Sequence, residues 1–142
     1  MDIFAVFAQF NLNLFSGIVA GVISGVYSGL IMARIARFYE VKAQALRLVR
    51  RIDFVINNKG LTFTRPMKQG ELSLLAAELI QLQHRSAAKR FFEIDIQITT
   101  IQHGAKAHGQ HANVIHELYR GWQKLIREAS PNWGAILLYG RL

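Results

Sequence analysis

The sequence predicts a mainly α-helical chain: a single membrane-crossing helix near the amino end, followed by a small helical cytoplasmic domain. Three observations predict it. The stretch between Asp2 and Arg34 holds no Asp, Glu, Lys or Arg, all seventeen Lys and Arg lie from Arg34 onward, and beyond Arg34 the apolar residues recur at three- and four-residue steps. The 51% hydrophobic content of the 142 residues is thus divided between two regions facing different solvents. This division gives a membrane segment at 1–37, a juxtamembrane amphipathic helix at 38–56 and a further cytoplasmic domain at 57–142. With no cysteine, disulfide-stapled scaffolds, thiolate zinc sites and cysteine nucleophiles are excluded.

Leu14 to Ala33 reads LFSGIVAGVISGVYSGLIMA, twenty residues without a charged side chain. At about 1.5 Å per residue such a helix crosses about 30 Å of hydrocarbon. Asn11 and Asn13 with Phe4, Phe7, Phe10 and Phe15 mark one interface; Arg34 and Arg37 with Phe38 and Tyr39 mark the other. The start lacks the cationic region of a cleavable leader, so the segment is expected to stay in the mature protein. Arg34, Arg37, Lys42, Arg47, Arg50 and Arg51 follow the span against Glu40 alone, which places the carboxyl side in the cytoplasm and the amino end outside. Residues 3–10 lengthen the uncharged run to 31 residues and are expected to lie in the outer interface or to extend the helix.

Gly17, Gly21, Gly25 and Gly29 recur every four residues, so they share one helical face, with Ser16, Ala20, Ser24 and Ser28 on the adjoining row. A face without side chains lets a second backbone approach, and in lipid that close packing is the main attraction between helices. Self-association into a homo-oligomer is expected. No acidic ring or intramembrane charge supports a selective ion channel.

In the cytoplasmic part, Phe38, Val41, Ala45, Leu48, Val49, Ile52 and Ile56 keep helical spacing, predicting an amphipathic helix over 38–56 that leaves the membrane directly and passes any rotation to the glycine face. Its cations also suit anionic lipid headgroups. Asn57 to Gly60 form a turn cluster, and Pro66 keeps Arg65 extended, so 61–67 reads as a connector or short strand. A helix from Gln69 to at least Ala87 is predicted by Leu72, Leu75, Ala76, Leu79 and Leu82. Residues 91–101 fit both periods; helix is preferred, because no turn signal separates them from the preceding helix and a lone strand lacks a partner. A last helix is predicted over Ala112–Ala129, ended by Ser130 and Pro131, and after it comes an apolar tail with Trp133, Leu137, Leu138 and Tyr139.

Nucleophile elbows, phosphate loops and dinucleotide fingerprints are absent, so no catalytic residue, cofactor or metal is expected. Glu93 and Asp95 alternate with isoleucines and read as a solvated face. Four of the five histidines fall in HGAKAHGQHANVIH, with His108 and His111 at helical spacing but no carboxylate among them. The segment reads either as a solvated loop or as an anion-recognition element in which the imidazoles join Lys106. Candidate anion contacts are Arg65, Lys68, Arg85, Lys89, Arg90, Lys106, His108 and His111, and Arg120, Lys124 and Arg127 form a second helical row. Tethering beneath a membrane suits a small diffusible anion better than duplex nucleic acid.

A glycine-rich span, a basic head of this size and the lack of catalytic groups together resemble the small membrane-anchored defence effectors of bacteria, in particular the ancillary effector of type III CRISPR systems that binds cyclic tetra-adenylate. The resemblance is architectural. It implies a homotetramer in the bacterial inner membrane whose heads bind one cyclic nucleotide and whose helices then shift to perturb the bilayer. The other reading of the same sequence is a membrane scaffold or assembly subunit that recruits a protein partner through its apolar tail.

Overall fold

A computed structural model describes the backbone of residues 3–57, 60–105 and 112–138, and the side chains of 14–55, 61–104 and 114–138. The chain is mainly α-helical, with one long apolar N-terminal helix and a small helical domain. In order come α1 (Ile3–Arg50), the strands β1 (Asp53–Asn57) and β2 (Gly60–Arg65), then α2 (Glu71–Gln81), α3 (Arg85–Ala105), α4 (Ala112–Arg127) and the short α5 (Trp133–Leu138). Two compact units divide at residues 34 and 35, and α1 contributes to both.

The first unit is the apolar part of α1. Side chains from Leu14 to Leu30 are all exposed, and the most apolar window along Leu14–Arg50 has a mean hydropathy of 1.8 with none of it buried. This helix is long and apolar enough to cross a membrane. An uncovered apolar surface of that extent requires lipid or a protein partner. Ser28 donates its hydroxyl to the Gly25 carbonyl at 3.1 Å, which satisfies the polar group within the helix itself. A Cβ placed on Gly17, Gly21, Gly25 or Gly29 would meet nothing within 4 Å, so the glycine face is open in the single chain.

The second unit is a helical domain with one core. Phe38, Val41, Ala45 and Val49 of α1 pack with Leu72, Ala76 and Leu79 of α2, with Ala88, Phe91, Ile94 and Ile98 of α3, and with Trp122 and Ile126 of α4. The helical periodicity of the sequence is this buried stripe. Polar contacts fix the helices further. Arg37 bridges Glu40 at 2.7 Å and Glu78 of α2 at 2.5 Å, and Trp122 Nε1 donates to Gln97 Oε1 at 2.9 Å. Lys42 Nζ donates to the carbonyls of Arg127 and Ala129 at 2.6 and 2.8 Å, so a cation from α1 meets the orphan carbonyls at the negative end of α4.

Some boundaries differ from the periodicity. The predicted helix over 38–56 stops at Arg50, and β1 begins at Asp53. The residues of 61–67, read as a connector or short strand, are strand as far as Arg65: β2 pairs antiparallel with β1 through Phe54↔Phe63, Val55↔Thr62 and Ile56↔Leu61. A two-stranded hairpin is marginal alone. Here Phe54 meets the rings of Phe63, His116 and Tyr119, which docks the hairpin on α4.

Another difference is the expected helix from Gln69 to Ala87, which is two helices broken at Gln83. Gln83 adopts φ +64°; its N–H donates to the Ile80 carbonyl at 2.9 Å and the His84 N–H to the Leu79 carbonyl at 2.7 Å. That bond pair is a Schellman stop with glutamine in the left-handed position usually held by glycine. α3 then runs unbroken through 91–101 as helix. α4 ends at Arg127, two residues before the predicted limit, and most of the tail forms α5, which buries Ile136 and leaves Trp133, Leu137 and Leu138 exposed.

Candidate functional site

The predicted anion contacts are dispersed. Arg65 is exposed at the end of β2, opposite Asp53 in the ladder, and Lys68 is exposed in the link to α2. Arg85 opens α3, and one turn on, Lys89 lies 3.9 Å from Glu93, a solvent-screened surface pair. Arg90 donates to the Glu128 carbonyl at 3.4 Å, so it joins Lys42 at the carboxyl end of α4. Lys106, His108 and His111 lie outside the described residues. None of the described candidates lines the three clefts that open between other described residues.

One cleft is cationic. It encloses about 330 Å³ between α1 and α2, and is lined by Gln44, Arg47 and Leu48 from the first helix, Arg51 directly after its end, and Glu71, Leu74 and Leu75 from the second. Arg47 and Arg51 stand one turn apart, as guanidinium groups must to grip one anion from two sides. Leu74, 73% exposed, offers an uncovered apolar surface beside them. Sequence reasoning assigned these arginines to lipid headgroups; their four-residue spacing was the signal that they share a face.

A second cleft, about 560 Å³, lies at the first turn of α2 and along α3. Ser73 donates its hydroxyl to Asp95 Oδ2 at 2.5 Å. Asp95, read from the sequence as part of a solvated face with Glu93, is 6% exposed, while Glu93 is indeed on the surface. Alternation would place two such residues on one strand face, whereas a helix turns them about 200° apart. Asp95 sits four residues after Phe91 and three before Ile98, both buried, and that spacing was its legible signal. Its carboxylate faces the uncapped amino end of α2, where the helix dipole favours a negative charge.

His84 is buried at 2% exposure and stacks edge-to-face on Phe38 with ring centroids 4.8 Å apart. The Asn132 backbone N–H donates to its Nδ1 at 3.0 Å, so that nitrogen carries a lone pair. Burial pushes its pKa below the usual histidine value. The group fastens the α2–α3 turn to the segment before α5. Among the described residues, no three His, Asp or Glu side chains form a group that could hold a metal ion.

No family model matches the chain, and no curated protein or solved structure is similar to it.

Proposed function

We propose that the chain is a membrane-anchored, non-catalytic effector whose domain senses an anionic nucleotide and whose spans associate through the glycine face. The observation that carries this reading is that one helix, α1, supplies a twenty-residue stretch without Asp, Glu, Lys or Arg and, through Arg47 with Arg51 directly after its end, a wall of the cationic cleft. A nucleotide suits that cleft in each of its parts: phosphate on the two guanidiniums, a base against Leu48, Leu74 and Leu75, and a hydroxyl or amine donor toward Glu71. Cyclic oligoadenylates are the ligand class that the architectural resemblance indicates, with a homotetramer in the bacterial inner membrane, amino end outside. Ligand in the cleft bears on the helix that carries the span, and it shifts the packing of the spans only insofar as its affinity differs between two packings.

The test is calorimetric titration of the full chain in detergent micelles with cyclic oligoadenylates of several ring sizes. Binding of one ring size is expected, weakened about tenfold or more in the Arg47→Gln, Arg51→Gln double variant. Absence of binding to every ring size contradicts the ligand. A loss caused instead by Arg85→Gln with Lys89→Gln would move the site to α3.

A second reading, a scaffold that recruits a protein partner, is favoured by α5, where Trp133 and Leu138 remain 53% and 84% exposed. A stoichiometric partner purified from native membranes, together with indifference to nucleotides, would support it.

A further inference from the structure

The cleft between α2 and α3 carries an unmet demand for a hydrogen-bond donor. Asp95 is 94% withdrawn from solvent by its 6% exposure, and while Oδ2 accepts from Ser73, Oδ1 has no hydrogen-bond partner. A buried carboxylate oxygen left unmatched is costly, and native proteins rarely keep one without a reason. Rotation about the terminal torsion of an aspartate interchanges its two oxygens, so either can turn to meet a guest.

Three other polar groups of the cleft have committed a proton elsewhere, while the Gln69 amide and the Thr99 hydroxyl also line it. Ser73 gives its proton to Asp95, Thr100 donates to the Ile96 carbonyl at 2.8 Å, and His103 Nδ1 stands 2.7 Å from the Thr99 carbonyl, which can only accept. What the Ser73 and Thr100 hydroxyls leave for a ligand are lone pairs on their oxygens. No Lys or Arg lines the cleft, although the chain has a net charge of +8. Its volume, about 560 Å³, is that of a small-molecule site. Asp95 is the one carboxylate of the lining, and its unmet oxygen complements a compact group with N–H donors and a positive charge.

We infer that the α2–α3 cleft binds a small organic cation, an ammonium or guanidinium group on a short carbon chain, which gives Asp95 the hydrogen bond it lacks. The inference is independent of the membrane reading and of the Arg47–Arg51 cleft, whose ligand has the opposite charge.

The experiment titrates the full chain in detergent micelles with putrescine and with agmatine, using 1,4-butanediol as the uncharged counterpart of the diamine, and reads heat of binding and thermal unfolding. Saturable binding and a raised unfolding temperature with at least one of the two cations, no effect of the diol, and affinity reduced about tenfold or more in Asp95→Asn are expected. No response to either cation, an equal response to the diol, or undiminished binding by Asp95→Asn overturns the assignment. Should Asp95→Asn fail to fold, Thr99→Arg reads the same site by placing a guanidinium at its wall: blocked binding supports the inference and unchanged binding overturns it.

Discussion

Gln83 and His84 decide where α2 ends, and both act against the pattern of their neighbours. An L-residue in the left-handed region costs about 1–2 kcal/mol, which Gln83 bears while its carbonyl accepts from Asn132 Nδ2 at 3.2 Å. Gln83→Gly removes that strain and keeps the backbone bonds, so it should raise stability by about 0.5–1 kcal/mol after the added freedom of the unfolded chain is deducted, measured by chemical denaturation in micelles. His84 brings a pH dependence. Its folded pKa is depressed below the ordinary value of 6.5, so above that pH it is neutral in both states and its contribution is complete. As pH falls below 6.5 the unfolded chain takes up a proton that the folded one refuses, and stability declines until the folded value is passed. Unfolding midpoints at pH 7.5 and 5.0 should therefore diverge more in the wild type than in His84→Phe; an equal divergence would place the sensitivity elsewhere. None of this was legible in sequence, because the stop uses glutamine where glycine or asparagine would announce it, and His84 reads as one more polar residue on a continuing helix. Asp95 was legible in principle, since helical spacing already seats it beside Phe91 and Ile98.

At the scale of elements, α1 was the plainest feature, since a run without charges can be read with no knowledge of what packs around it. The hairpin was not plain: Ile52 and Ile56 satisfy a helical step as well as a strand, and only the partner at 61–65 and the aromatic seat on α4 decide between them. The α2–α3 break and the docking of β1 are both tertiary outcomes that override local periodicity. The glycine face of α1 permits a clean test of association. Because added methyls at Gly21 and Gly25 touch nothing within the chain, the Gly21→Ala, Gly25→Ala variant should keep or gain helix stability, by about 1 kcal/mol per site on propensity alone. If copies pack through this face, energy transfer between labelled chains in liposomes should nevertheless fall several-fold in the double variant. Transfer unchanged from the wild type would remove the face from the interface.

For the whole molecule, two solvents divide one sequence. The uncharged stretch ends at Arg34, and the compact units divide at 34 and 35, so the break in charge and the break in packing coincide. Fold class was readable for this reason, since hydropathy sets the first unit and helical stripes set the second. The sites were less readable, because a cleft is made by residues distant in sequence. Arg47 with Leu74, and Ser73 with Asp95, meet only after the helices pack. The account rests on α1 residing in lipid, and washing membranes from cells expressing the full chain with alkaline carbonate tests this directly. The chain should stay in the membrane pellet and leave it only with detergent, in which crosslinking captures oligomers; release into the wash as a monomer that stays dissolved without detergent would contradict it.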